Sequence, residues 1–293
     1  MTPTRPRIDR RAVFASAAAA ALLAASGVSA ETRPRRGGRF KLALSGGTRS
    51  DSFDIRRGAG LFMQVAAAGV VFDTLTEVAA DGTLQPELAT SWQGSADAAN
   101  WELSLRRDVR FHDGQVFGAA DVVASLALHQ GDPALGLRNV RVLDAHRVAI
   151  TLAAPNPDLP YLLSNPQYIM YPAKNMAAAI SGGVGTGMYK VVRFEAGGHL
   201  RAERVASHYK DGRAGWFDEI ELVSIPSAEV RAEALRVQIV DAADLAHGTE
   251  RRGLLPAPSD IAQAAQPAVA FPAQIGTRAP MDNLRAPERW WFA

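Results

Sequence analysis

The run WELSLRRDVRFHDGQVFGAADVVASLALH, Trp101 to His129, constrains the fold more than any other stretch of this chain. Trp101, Leu103 and Leu105 alternate strictly with polar residues, the period of a strand with one buried face. Val109 and Phe111 carry the alternation past Arg107-Asp108. Asp113-Gly114 then signals a tight turn, because glycine accepts positive φ and the aspartate side chain bonds nearby amides. After it, Val122, Val123, Leu126 and Leu128 share one helical face, with Asp121 in the first turn, where a negative charge favours the helix dipole. The run reads as strand, corner and helix.

His112-Asp113 sits inside that corner, and a histidine beside an aspartate invites a catalytic reading. Such a pair also needs a nucleophile or a metal partner. The sequence has no G-x-S-x-G, no H-E-x-x-H and no second histidine at ligand spacing. The pair is read as a turn, and a hydrolase is the weakest functional class for the chain. Gly185-Thr186-Gly187 is likewise a turn and not a phosphate loop: no Gly-Lys-Ser/Thr follows it, and a strand pattern comes next.

Other segments supply the remaining elements. RFKLALSGG, Arg39 to Gly47, is a strand running into a glycine loop. Leu61, Val65, Ala68 and Phe72 are at amphipathic helical spacing, with Gly69 weakening the pattern locally. Ala80-Asp81-Gly82 is a turn, and GSADAAN before Trp101 is a hairpin connection. NVRVLDAHRVAITL gives a second hairpin, with its turn at Asp144-Ala145-His146. Trp92, Trp101 and Trp216 are expected in cores. His199, His208 and His247 are isolated, and Asp241 and Asp244, in a strand-like run, are expected to be solvated.

The first thirty residues are of another kind. Arg5, Arg7, Arg10 and Arg11 precede an alanine-rich apolar run that ends in Val28-Ser29-Ala30, the order of an export signal cleaved between Ala30 and Glu31. Arg10-Arg11 followed by Ala12-Val13-Phe14 resembles a twin-arginine signal, although Asp9 stands where Ser or Thr is usual. Without those residues, 28 basic side chains face 29 acidic ones, a net charge of −1. The basic balance of the whole chain therefore gives no reason to invoke nucleic acid. No later segment has the apolar length of a bilayer span, so the mature chain is expected not to be membrane-spanning. Cysteine is absent, which excludes disulfides, thiolate metal sites and cysteine nucleophiles.

Two long blocks carry a resemblance. ELATSW with WELSLRRDVRFHDGQVFGAADVVASL, and then GTGMYKVVRFEAGGHLRAERVASHYKDGRAGWFDEIELVSI (Gly185 to Ile225), resemble in order the solute-binding proteins of peptide- and nickel-type ABC transporters, the bacterial extracellular solute-binding protein family 5. VRAEALRVQIVDAADL resembles the helix and strand that follow in that family.

The resemblance implies an α/β fold like that of type II periplasmic binding proteins. Its first lobe would come from 31–74 and 183–246, with a subdomain, 75–182, inserted between them. It also implies a second large lobe, which the sequence lacks: residues 247–293 form a short Pro/Ala-rich linker and a tail resembling the C-terminus of some members. The implied function is an exported, periplasmic solute-binding component of an ABC importer, with an oligopeptide-like ligand first and a nickel chelate or other small solute left open, a permease partner, no cofactor or protein-bound metal site, and no catalysis. Alternatives are a shortened paralogue acting as an interaction protein, or a non-functional remnant. Pocket-facing residues expected by position are Ser45, Gly46, Thr48 and Arg49, in the loop after the first strand, and Tyr168 near the end of the inserted subdomain.

Overall fold

A computed structural model describes residues 36–54, 56, 59–79, 82–245, 254–256 and 268–272, with backbone alone for the last two segments. The expected export signal with its Ala30–Glu31 junction, His247 and the expected C-terminal tail lie outside the described residues, as do Ala80 and Asp81 of the expected turn.

The first strand, β1 (Arg39–Leu44), is the centre of the larger sheet. It runs parallel to β10 (Glu219–Ser224) on one side and to β11 (Ala242–Leu245) on the other, so Leu42 faces both Leu222 and Ala242. β9 (His199–Arg204) and β8 (Tyr189–Glu195) continue antiparallel beyond β10, and β13 (Ala268–Pro272) and β12 (Leu254–Pro256) beyond β11. Phe40, Leu42, Leu44, Leu200, Ile220 and Leu222 bury one face of this sheet, and Ala43, Ala243 and Leu245 pack from the other against Ala232 and Leu235. Those last two belong to the helix Ala228–Arg236, whose start is capped by Ser227 Oγ accepting from Val230 N.

A separate four-stranded antiparallel sheet forms from β4 (Ala89–Gly94), β5 (Asn100–Leu105), β7 (Arg147–Leu152) and β6 (Leu137–Asp144), in the spatial order β4-β5-β7-β6. Trp101 pairs with Ile150 and Leu103 with Val148, so the alternation in the sequence becomes one apolar face. The helix Ala119–Ala127 covers that face with Val122 and Leu126; Gly118 N donates to Asp121 Oδ2, which closes the helix start. A short hairpin, β2 (Thr76–Val78) and β3 (Leu84–Pro86), precedes it. Trp101 and Trp216 are buried as expected, and Trp92 is half-buried at the margin of the smaller sheet's core.

Two local expectations are corrected. Val109 and Phe111 do not prolong β5; a single bridge joins Arg110 to Val116, and both apolar side chains drop into the core beneath the corner. The helix that begins at Leu61 is α-helical only to Gln64, and Val65–Val71 is a π-helix. Phe72 N reaches back to Ala67 O, Phe72 itself is extended, and Val71 O accepts from Gly187 N. Tertiary contact with the Gly185–Gly187 loop thus overrides the simple 3.6-residue period.

Candidate functional site

The loop after β1 leaves the carboxyl edge of a central strand that has parallel neighbours on both sides. In open α/β sheets this edge is where crevices for ligands form. Ser45 opens the loop: its N and Oγ donate to Asp244 Oδ1 and Oδ2 at 3.1 and 2.6 Å, and its carbonyl accepts from Phe62 N at 3.0 Å. Gly46 follows at φ +81°, and its backbone crosses that of Gly60 so closely that a Cβ on Gly60 would lie 1.9 Å from Gly46 O. The next turn closes on itself, with Thr48 N and Oγ1 donating to Asp51 Oδ2 and Oδ1 at 2.9 and 2.8 Å. Thr48 and Arg49 are exposed at its tip. These contacts tie the loop to Asp244, to the Gly60 backbone and to itself.

Four of the five expected pocket residues, Ser45, Gly46, Thr48 and Arg49, come together on this loop, though the Ser45 side chain is turned inward onto Asp244. Tyr168 stands apart. Its ring is buried against His129, with centroids 4.8 Å apart, and its hydroxyl donates to Asp132 Oδ2 at 2.8 Å. Burial and the bond to Asp132 push its phenol up to about 12.

Asp241 and Asp244, expected to be solvated, are buried. Asp241 Oδ2 accepts from Lys41 N at 2.8 Å. Asp244 pairs with Arg231, whose Nε lies 2.6 Å from Oδ1, and both side chains are almost wholly enclosed. Backbone donors and a buried guanidinium replace the water that a lone carboxylate in a strand would need.

A second polar group lies between the π-helix and the Gly185–Gly187 loop. Asp73 accepts from Thr186 Oγ1 at 2.8 Å, and His208 Nε2 donates to Thr186 O at 3.0 Å. Burial alone would raise the Asp73 carboxyl, but His208, the charge of Lys210 and the Thr186 hydroxyl hold it well below the ordinary carboxylate value. Lys210 Nζ bridges Glu77 and Glu87 at 2.9 and 2.6 Å. Although burial opposes its charge, these carboxylates and Asp73 keep Lys210 protonated above its usual range. Asp73, Glu77, Glu87 and Lys210 line a cavity of about 750 Å³, as do Arg56 and Ser164–Gln167. The Ser45–Arg49 loop does not line this cavity but abuts it at Leu61, which does. The sequence marks this group only weakly, as single charges inside apolar runs: Asp73 after Val70-Val71-Phe72, and Glu87 before Leu88-Ala89.

The corner is confirmed. Gly114 N donates to Phe111 O, Gly114 has φ +88°, and Asp113 Oδ1 accepts from Gln115 N at 3.0 Å. His112 turns away from Asp113. Its Nδ1 accepts from Gly185 N at 3.4 Å, which places the ring proton on Nε2, donating to Gly187 O at 2.8 Å. Its backbone N donates to Gly185 O at 2.9 Å. Burial lowers its pKa and keeps the imidazole neutral. His112 is a clasp between the corner and the glycine loop. His199 lies 3.2 Å from Glu221 on the strand face. Among the described residues no three His, Cys, Asp or Glu side chains are grouped to hold a metal ion, and no helix is long and apolar enough to cross a membrane.

The larger sheet has a parallel centre, β10-β1-β11, with antiparallel strands on both sides, and a loop tied down at the carboxyl edge of β1. The family model of bacterial extracellular solute-binding proteins, family 5 Middle, matches residues 83–268, more than half of the chain, and the chain belongs to that family. The nickel-binding periplasmic protein of Escherichia coli (strain K12) is 41% identical over 56 residues, 19% of this chain and 11% of that one. The PBP AgaA in complex with agropinic acid, from A. tumefacien R10, is similar at TM-score 0.64 and 26% identity, over 71% of this chain and 44% of that chain. The ABC transporter-associated periplasmic binding protein DppA from Helicobacter pylori, in complex with peptide STSA, shares the fold at TM-score 0.65 and 20% identity, over 78% of this chain and 52% of that one. The architecture is the type II periplasmic-binding-protein fold, and the chain spans about half the length of these structures or less.

Proposed function

We propose that this chain is the exported solute-binding component of an ABC importer, that its ligand is oligopeptide-like, and that it delivers that ligand to a membrane permease without chemical change. One observation carries the reading: the loop 45–51 at the carboxyl edge of β1 is fixed by its own turn, by Asp244 and by the Gly46–Gly60 crossing, and leaves Thr48 and Arg49 exposed. A rigid loop of this kind recognises extended backbone and carboxylate groups at low ordering cost. In this reading residues 75–182 are an inserted subdomain; the smaller sheet has a core of its own in Leu75–Met170, while Ile169, Tyr171 and Ala179 from the same range join the core of the larger sheet. Residues 1–30 are the leader that takes the chain to the periplasm.

Calorimetric titration of the chain with a mixed di- to pentapeptide library tests the ligand class, with nickel–histidine as the competing class. Saturable heat with peptides supports the reading. Saturable heat with nickel–histidine alone would replace the ligand class, and no heat with either would remove solute binding.

A further inference from the structure

The loop after β1 is anchored by a carboxylate 199 positions away in the chain. Asp244 commits both oxygens to Ser45, one to its amide and one to its hydroxyl. Arg231 holds that carboxylate from behind, with Nε 2.6 Å from Oδ1 and 2.8 Å from the Asp244 carbonyl. Arg231 Nη1 donates to Ile225 O and Pro226 O at 2.6 and 2.9 Å, so one guanidinium joins the chain just after β10 to the end of β11. Ser45 in turn presents its carbonyl to Phe62 N, the start of the helix.

A buried ion pair is a poor device for stability alone, because desolvation cancels much of the attraction. This one sits where three parallel strands end, and its free acceptor positions all point at the first residue of one loop. We propose that Asp244, braced by Arg231, is a positioning residue: it sets the place and direction of the loop 45–51, and through Ser45 the start of the helix at Leu61. The purpose of that positioning, presentation of the loop to solute, rests on the function proposed above. The positioning itself can be read without any ligand.

The experiment is residue-resolved amide hydrogen exchange on the full chain. Ser45→Ala removes the hydroxyl that Asp244 Oδ2 accepts from and leaves the Arg231 pair intact. One hydrogen bond to a charged group corresponds to at least about tenfold in a local opening equilibrium. Exchange at the bonded amides Thr48, Asp51 and Phe62 should rise by about that factor, with the β10 amides Glu219–Ser224 unchanged. Ser45→Thr, which keeps the hydroxyl, should restore the wild-type pattern. Asp244→Asn should open the same amides further; if it does not fold, the two Ser45 variants still decide the matter. Unchanged loop exchange in Ser45→Ala, an equal rise in β10, or no rescue by threonine overturns the proposal. Failure of the wild-type chain to bind either peptides or nickel–histidine would count against the solute reading and would not alter the exchange result.

Discussion

Replacing His112 with alanine tests whether the His-Asp pair is a fastener or chemistry. The substitution deletes two side-chain hydrogen bonds, from Gly185 N and to Gly187 O, and leaves those backbone groups buried. Each buried group left without a partner costs about 1–3 kcal/mol, the lower figure where water enters. The long 3.4 Å contact to Gly185 N counts at the low end. The backbone bond from His112 N to Gly185 O survives the change. Together these give a loss of about 3 kcal/mol. Urea denaturation near neutral pH, with the slope checked for constancy, measures it.

The pH dependence has a definite sign. Burial lowers the His112 pKa from 6.5 in the fold, so below that value the unfolded chain binds the proton more readily. The stability contributed by neutral His112 is complete above pH 6.5 and declines as pH falls from there toward the folded pKa. The penalty of His112→Ala should therefore shrink between about pH 7.5 and pH 5.5. A penalty under about 0.5 kcal/mol at neutral pH, or one that grows on acidification, would refute the clasp.

Other expectations follow from the same contacts. Asp244→Ala leaves Arg231 buried without its counter-ion and should cost about 3–5 kcal/mol by urea denaturation, far more than Ser45→Ala. Gly60→Ala forces a Cβ to within 1.9 Å of Gly46 O and should lower the thermal midpoint sharply, whereas alanine at the exposed helix residue Glu233 should not. Ser227→Ala removes the cap of the helix Ala228–Arg236 and should cost about 1 kcal/mol. N-terminal sequencing of the exported protein should begin at Glu31, and changing Arg10 and Arg11 to lysine should block export through the twin-arginine route.

What the sequence made legible was whatever repeats with a short period. Trp101, Leu103 and Leu105 form a strand face, the Val140–Leu152 hairpin turns at Asp144–His146, and the helix after the Asp-Gly corner starts at Ala119. The loop 45–49 was legible because its residues are contiguous and follow a strand with a clear pattern. The charged contacts were not legible, because their partners are remote. Nothing near Asp244 in the sequence shows that Ser45 and Arg231 will surround it, so solvation was the natural expectation for a carboxylate in a strand. The π-helix was hidden for a related reason: Leu61, Val65 and Ala68 suit either pitch, and the choice depends on Gly187 reaching Val71 O. Tyr168 was placed by position along the chain, whereas its burial is decided by His129 and Asp132.

Solute is proposed to meet this chain at the loop after β1. The most direct measurement is amide exchange of the full chain with and without a saturating di- to pentapeptide mixture. The account predicts protection concentrated in residues 45–51 and at Phe62, with little change in β5 or β7 of the smaller sheet. Protection confined to the smaller sheet, or no protection anywhere at saturating peptide, would contradict it.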